Sequence, residues 1–490
     1  MEWNVTVNAE GKEAIIKAQD GEILLQALSR AGIEINAPCG GRGVCQKCLV
    51  RAEGKLIKEK PSPEGTCLAC KTRIAGDVKV WIDMKKSEIL SSDSDVFTNT
   101  DHEKGLALAA DIGTTTIAAY LIDLESGKTL GVDTRLNPQR NHGADVISRL
   151  SFALESKENA SLLKKEIEDA IYESEKILLD RFGWRKGEII RRVLVGNTAM
   201  THLAGGYSVK GIAFAPFTPE YVKAHETEFN EKRAILGGCI SGYVGSDTIS
   251  ALLSNDLDIK NECALLIDIG TNGEIALVKD GRILTCSCAA GPAFEGAHIA
   301  CGMGAVEGAV NHVNIRMGKL EYTTIGNKKA IGICGSGLID IVYALVNKEE
   351  ISPSGRMTED YYITENVYLS RSDIREVQLA KSAIASGIQI LLTEMGIDED
   401  NIEKVYLAGG FGNFISTEAA CGIGMLPMGL KERIIPVGNA AGAGARRMAM
   451  SERERKRHEE IRMKAEYIEL ASHPDFSDLF AENLLFEEEE

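Results

Sequence analysis

Apolar and polar residues alternate in two short runs at the start of the chain, WNVTVNA (3–9) and EAIIKAQ (13–19), with EGK between them. Period-two alternation across such a break predicts a β-hairpin. GEILLQALSRAG (21–32) carries apolar residues at helical spacing and predicts a short amphipathic helix closed by Gly32. KCLVRAEGKL (47–56) and GDVKVWIDM (76–84) read as two more strands, so residues 1–84 form a small β-rich domain. Residues 85–104 are polar, lack periodicity and read as a linker.

From residue 105 the pattern changes to strands alternating with helices. GLALAADIGTTTIAAYLIDLESGK (105–128) is two apolar runs broken by a Gly-Thr turn, and SLLKKEIEDAIYESEKILLDRFG (161–183) is a helix. RRVLVGNTAM (191–200) is a buried strand running into a helix. NECALLIDIGTNGEIALVKDGRIL (261–284) then repeats the form of 105–128, with Asp268 standing 157 residues after Asp111. A period this long is not that of a solenoid. It predicts two related α/β subdomains in tandem, 105–260 and 261–450, each opening with the same hairpin. EVQLAKSAIASGIQILLTEMG (376–396) is a helix, and EKVYLAGGFGNFIS (403–416) is a strand with a glycine turn. Residues 451–490 begin as a charged helix and end in an acidic run, expected to be solvated.

Composition narrows the class. With 490 residues the chain exceeds one ordinary core. Its formal charge of −17 argues against a nucleic-acid partner, which calls for a basic face. The N-terminal residues lack the basic and apolar regions of a signal peptide, and no apolar run approaches the length of a membrane span. The expectation is a cytoplasmic protein without membrane insertion, whose twelve cysteines stay reduced.

The cysteines nearest the N-terminus are Cys39, Cys45, Cys48, Cys67 and Cys70. Two C-x2-C pairs, Cys45/Cys48 and Cys67/Cys70, have zinc spacing. That reading leaves Cys39 and glycines 40, 41 and 43 without a purpose. An iron–sulfur loop uses them: it wraps its backbone N–H groups toward the sulfurs, which calls for glycine conformations. At this point the residues resemble the 2Fe–2S ferredoxin family. CGGRGVCQKC is close to that family's cluster loop and LACKTRIAGDVKV to its last segment. The resemblance implies cluster ligands Cys39, Cys45, Cys48 and Cys70, with Cys67 a bystander, and a β-grasp α+β fold.

DIGTTT (111–116) puts an aspartate at the end of a buried strand and then a tight turn. Gly113 lets backbone approach a phosphate, Thr114, Thr115 and Thr116 can donate to it, and Asp111 suits a hydrated Mg²⁺. DIGTNGE (268–274) offers Asp268, Gly270, Thr271, Asn272 and Gly273 a second time. One such hairpin is no more than a turn between strands. Two in tandem, followed by LAGGFGNF (407–414) with Gly409, Gly410 and Phe411, are far more specific. The arrangement resembles the actin, sugar-kinase and heat-shock-chaperone superfamily, which implies ATP with Mg²⁺ held between the two turns and the Gly-Gly motif. Either Asp111 or Asp268 would orient the attacking water, and nothing in the sequence decides between them. ICGSGLID (333–340) offers Gly335, Ser336 and Gly337 for another nucleotide-contacting turn, and Glu295 and Glu307 could reach the nucleotide. His202 is expected to be satisfied within its helix, and Cys286, Cys288, Cys301 and Cys334 to be free thiols in apolar surroundings.

The whole chain is similar to the reductive activators of corrinoid proteins. GPAFEGAHIACGMGAVEGAV, LAGGFGNFISTEAACGIGMLP and AEYIELASHPDFSDLFAENLLF carry that likeness beyond the motifs above. It implies a cluster reduced by a low-potential donor, such as a ferredoxin or its reductase. The activator then docks on a corrinoid protein of a methyl-transfer system in an anaerobe, and ATP hydrolysis is coupled to restoring Co(I) from Co(II). Longer members carry an extra middle domain before the first turn, where this chain's linker leads almost directly into it, so a homodimer is left open. The alternatives are an activator of a dehydratase or radical enzyme, and a redox-sensing ATP-binding module without catalysis.

Overall fold

The computed structural model describes residues 2–9, 12–31, 35, 48–60, 62–63, 65–82, 97, 99–184, 188–316, 319–409 and 414–486. It divides into two compact units, residues 1–86 with 138–152, and residues 87–137 with 153–490.

The first unit holds strands β1 (Glu2–Ala9), β2 (Lys12–Gln19), β3 (Leu49–Lys58), β4 (Thr66–Leu68) and β5 (Thr72–Ile82) and helix α1 (Leu24–Arg30). Val5, Val7, Val50, Ala52, Val78 and Val80 alternate inward, as period-two patterning requires. β1 and β2 pair antiparallel from Glu2↔Gln19 to Ala9↔Lys12, and β5 joins β1 in parallel. The sheet order β2-β1-β5-β3-β4, with α1 packed on it through Leu24, Ala27 and Leu28, is the mixed β-grasp arrangement expected of this segment. Pro138–Phe152 of this unit carries most of helix α2 (Val146–Glu155).

The second unit is a duplicated α/β structure. Its first lobe is built on β6 (Leu106–Ile112), β7 (Thr116–Asp123) and β8 (Lys128–Leu136), an antiparallel meander. After helix α3 (Lys157–Phe182), β9 (Ile189–Gly196) adds to β6 in parallel. Helices α4 (Thr198–Gly205) and α5 (Lys210–Ala213), the hairpin β10 (His225–Phe229) and β11 (Lys232–Leu236), and α6 (Ser246–Ser254) complete the lobe. The second lobe repeats the plan: β12 (Ala264–Ile269), β13 (Gly273–Lys279) and β14 (Arg282–Cys288) form the meander. An insertion follows, with β15 (Ala309–Arg316), β16 (Lys319–Thr324), β17 (Gly332–Ile333), α7 (Gly335–Val346), β18 (Tyr361–Thr364) and β19 (Val367–Leu369). Then come α8 (Arg371–Met395), β20 (Lys404–Ala408) parallel to β12, α9 (Thr417–Gly422), β21 (Ile434–Gly438) and α10 (Ala440–Met450). The two sheets share one order over five strands, β11-β9-β6-β7-β8 in the first lobe and β21-β20-β12-β13-β14 in the second.

Near-continuous burial of Leu106–Ala110 and Ala264–Ile267 explains why these strands read as apolar runs: each is covered on both faces. α6 and α10 lie together in one core with residues of both sheets. Their approach is close enough that a Cβ on Gly444 would sit 2.1 Å from the Ser250 carbonyl oxygen.

Two expectations are modified. Most of 85–104 lies outside the described residues, but its end is tied down. Phe97 N donates to the Gly127 carbonyl, the Arg447 guanidinium lies 5.2 Å from its ring, and Asp101 accepts from Glu452 N and Ser451 Oγ. The C-terminal segment is also more than a charged extension. After α11 (Glu452–Lys464), β22 (Ala465–Tyr467) extends the second sheet beside β14, and α12 (Phe476–Glu482) packs on α8. Gln378, Lys381 and Ser382 of α8 donate to the carbonyls of Leu484, Leu485 and Phe480, and Phe486 is buried. Period-3.6 patterning showed α11 but gave no sign of these side chain–backbone anchors. The acidic run 487–490 lies outside the described residues, and among those described no helix is long and apolar enough to cross a membrane.

Candidate functional site

Of the four expected cluster ligands, Cys48 and Cys70 are described and Cys39 and Cys45 lie outside the described residues. Cys48 immediately precedes β3, and Cys70 sits in the 3₁₀ turn Ala69–Lys71 between β4 and β5. Ala69 N donates to the Cys48 carbonyl, which locks the two segments together. The two sulfurs stand 3.2 Å apart and both residues are buried. A disulfide needs about 2.05 Å. A tetrahedral centre with metal–sulfur bonds of about 2.3 Å puts two ligand sulfurs about 3.8 Å apart. The pair is nearer to ligand spacing than to a bond, and two buried thiols brought together in this way are a donor set that fits a cluster. Cys67, on β4 opposite Val50, is buried and its thiol is pushed up by that burial, which keeps it protonated.

The second site lies where β6 and β12 end. In the first turn Gly113 N donates to the Thr116 carbonyl, and Asn137 and Asn197 brace the loop by donating to Gly113 O and Thr114 Oγ1. In the second, Gly270 N donates to the Asn272 carbonyl. Thr115 and Thr271, one from each turn, both donate to Glu295 Oε2, at 3.1 and 2.8 Å. Gly409, at φ +94°, closes on the second turn, where an added Cβ would lie 2.8 Å from Asp268 Oδ1. Gly410 and Phe411 lie outside the described residues. Gly273 is a packing position in β13, its missing side chain replaced by the Cys288 thiol. Gly335 and Ser336 open α7, and Ser336 Oγ donates to the Asn311 carbonyl.

Four carboxylates crowd this cleft. Burial first, then the charges of Asp247 and Asp111, pushes Asp268 up to about 7. Burial likewise pushes Asp111 up to about 7, against the hydrogen bond from Asn439. Asp247 rises to about 6 and Glu274, cross-strand from Asp268, well above the carboxylate range. Such a group ionises fully only beside a cation, and one or two of these carboxylates would suffice for an Mg²⁺ that keeps its waters.

Asp247, Asn197 and Asn439 were not singled out from the sequence, although a signal was there. Val-Gly-Asn (195–197), Val-Gly-Ser (244–246) and Val-Gly-Asn (437–439) each end a strand or loop and open a helix. Asn197 and Asn439 cap α4 and α10 through Oδ1, accepting from Met200 N and Gly442 N, and aim Nδ2 at Thr114 and Asp111. The remaining candidates have local roles. His202 is buried, with Nδ1 2.7 Å from the Thr198 carbonyl, and Glu307 is exposed. Cys286, Cys288 and Cys334 are buried and Cys301 half-buried, and among the described residues no group of three or more His, Cys, Asp and Glu has metal-holding geometry.

Three family models tile the chain. The 2Fe–2S iron–sulfur cluster binding domain matches residues 7–81, the RACo middle region 106–260 and the C-terminal ASKHA domain of RACo 262–490. The corrinoid activation enzyme RamQ of Eubacterium limosum is 31% identical over 430 residues, 80% of this chain and 72% of that protein. The chain belongs to the RACo family of corrinoid activators. A Co(II) methylated amine-specific corrinoid protein reductase of Methanosarcina barkeri is 26% identical over 76% of the chain and 75% of its own length. The solved structure of a reductive activator for a corrinoid, iron–sulfur protein matches at TM-score 0.71 and 27% identity, covering 98% of both chains. The family's middle region is therefore present here as the first lobe.

Proposed function

We propose that this family member is an ATP-dependent reductive activator that delivers one electron to the Co(II) corrinoid of a methyl-transfer protein and so regenerates Co(I). The observation that carries the reading is the combination in one chain of a buried thiol pair 3.2 Å apart and twin Asp-Ile-Gly-Thr turns bridged by one carboxylate.

Cys39, Cys45, Cys48 and Cys70 hold the 2Fe–2S cluster, which when bound supplies electrons one at a time. Cys67 stays a protonated core thiol. Backbone amides and hydroxyls of Gly113–Thr116 and Gly270–Gly273 hold the phosphates of ATP, with Gly409, Gly410 and Phe411 toward the adenosine. Asp111 and Asp268 hold Mg²⁺ through its waters, and Asp268, free of any hydrogen-bond donor among the described residues, orients the attacking water. Such a site works by positioning and charge stabilisation. Hydrolysis is useful to an electron carrier only if it changes which partner state binds, so nucleotide turnover selects the Co(II) form of the acceptor. The upstream donor is a low-potential ferredoxin or its reductase, and the setting is the cytoplasm.

The test is anaerobic. Chemically reduced protein is mixed with a Co(II) corrinoid protein with and without MgATP, and the Co(I) absorption band is followed. Co(I) formation only with MgATP is expected. Equal reduction without ATP would sink the coupled mechanism. Cys48→Ser and Cys70→Ser each abolish the cluster's visible absorption, whereas Cys67→Ser keeps it.

A further inference from the structure

Glu295 closes the 3₁₀ turn Ala293–Glu295 that follows the second meander, and its Oε2 accepts from Thr271 at 2.8 Å and from Thr115 at 3.1 Å. One carboxylate oxygen therefore joins the two turns, and with them the two lobes. A threonine hydroxyl has a single hydrogen to donate. A phosphate oxygen seated between the turns would take those same two hydrogens. It also brings negative charge to a cleft where Asp111, Asp247, Asp268 and Glu274 already oppose one another. Glu295 and a terminal phosphate thus compete for one position.

We propose that Glu295 is a carboxylate latch, a positioning residue that draws the two phosphate turns together and is displaced by the terminal phosphates of ATP. Its displacement is felt along the segment it heads. Gly296 follows in the left-handed region, where an added Cβ would meet the Met303 backbone at 2.4 Å, so the chain folds tightly back. Ala300 N donates to Asp373 Oδ1, and Asp373 is the partner of Ser370 in the capping box that starts α8. Movement of Glu295 therefore reaches the N-terminus of the longest helix of the second lobe through one turn of chain. The inference rests on reading 111–116 and 268–274 as phosphate turns, and it adds what resists the phosphate there.

The sign of the effect separates a latch from a brace. If Glu295 only braced the turns, or helped to hold Mg²⁺, its removal would weaken nucleotide binding. If it competes with phosphate, removal strengthens binding. The experiment uses the full chain as wild type, Glu295→Ala and Glu295→Gln, with MgATP titrated calorimetrically and amide exchange followed by mass spectrometry. In Glu295→Ala we expect about tenfold tighter ATP binding, with faster exchange at 111–116 and 268–274 before nucleotide is added. Glu295→Gln, which keeps an acceptor but no charge, falls between. In wild type, ATP speeds exchange over 293–302. Binding in wild type with equal or weaker binding in both variants overturns the latch alone. Failure of the wild-type chain to bind ATP overturns the phosphate-turn reading and the latch with it. Should Glu295→Ala fail to fold, the Gln variant carries the same comparison.

Discussion

Asp111 and Asp268 end equivalent strands, precede the same Ile-Gly-Thr and reach nearly the same proton affinity, yet they are held differently. Asp111 accepts Nδ2 of Asn439 at 2.9 Å, and its turn is braced by Asn137 and Asn197. The Asp268 carboxylate has no hydrogen-bond donor among the described residues and faces the bare backbone of Gly409. Duplication supplied two Asp-Ile-Gly-Thr turns, and the surroundings have made one a fixed wall and left the other an open carboxylate. An open carboxylate can change its partner during a reaction cycle. A bonded one cannot without losing its donor.

The largest effect should come from neutralising the open one. Asp268→Asn is expected to lower the ATP turnover rate by about 10²-fold or more, because the carboxylate that orients the attacking water is lost. Asp111→Asn should cost less, about tenfold, since the new amide can still bond the Asn439 side chain by a flip of either group. Steady-state phosphate release measures both. If Asp111→Asn proves the more damaging, the two roles are reversed.

Next come the turn glycines, which look interchangeable in the sequence. A Cβ on Gly113 would fall 2.7 Å from the Thr116 carbonyl oxygen, a backbone atom that cannot step aside. A Cβ on Gly270 would meet nothing nearer than the Asn272 carbonyl at 3.7 Å, and its φ is not in the left-handed region. Gly113→Ala should therefore destabilise the protein by about 1–3 kcal/mol and loosen ATP binding, while Gly270→Ala stays within about 0.5 kcal/mol of wild type. Urea unfolding and nucleotide titration decide. Equal tolerance at both positions would mean that the first turn is as open as the second.

That contrast shows how far the sequence was legible. The duplication and the strand-ending aspartates could be read because each rests on local pattern, burial on two faces and a turn residue at a fixed offset, while the β-grasp fold came from the resemblance of the cysteine loop to ferredoxins. What could not be read rests on approach between segments far apart in sequence. Asn439 lies 328 residues from the aspartate it serves. Glu295 could be singled out as a nucleotide candidate, but not as the oxygen that two threonines share. Gly273 reads as a phosphate glycine until Cys288 is seen filling its side-chain space. The same applies to α12, whose hold on α8 consists of side chains bonding to carbonyls that carry no sequence signature of their own.

Asn439 tests the fixed wall more gently. Asn439→Ala removes the donor to Asp111 and the acceptor that caps α10 at Gly442 N. Loss of a cap costs about 1 kcal/mol, so the midpoint of unfolding should drop by a few degrees. ATP turnover should fall severalfold, because Asp111 is then as loosely held as Asp268. Asn439→Asp, which keeps the cap but sets a second carboxylate against Asp111, should lose turnover without losing the cap. Unchanged turnover in both variants would show that fixing Asp111 is irrelevant to the reaction.

The smallest effect concerns protons. Burial raises both aspartates from the ordinary range near 4 to about 7 in the folded protein. Between those values the folded chain binds more protons than the unfolded one, so these groups make stability fall as pH rises from about 4 to about 7. His202 and His458, buried and pushed down to about 4, act in the opposite sense over the same window, because the unfolded chain then binds the protons. The net slope of wild type therefore mixes both, and the variants separate them. Without nucleotide or Mg²⁺, Asp268→Asn should be more stable than wild type at pH 8 and lose that advantage by pH 5, and Asp111→Asn should show the same trend to a similar extent, since burial raises both to about 7. Denaturant midpoints at pH 5, 6.5 and 8 suffice. Parallel pH profiles for wild type and Asp268→Asn would mean that Asp268 is charged throughout, and that the open turn finds its counter-charge in the protein itself.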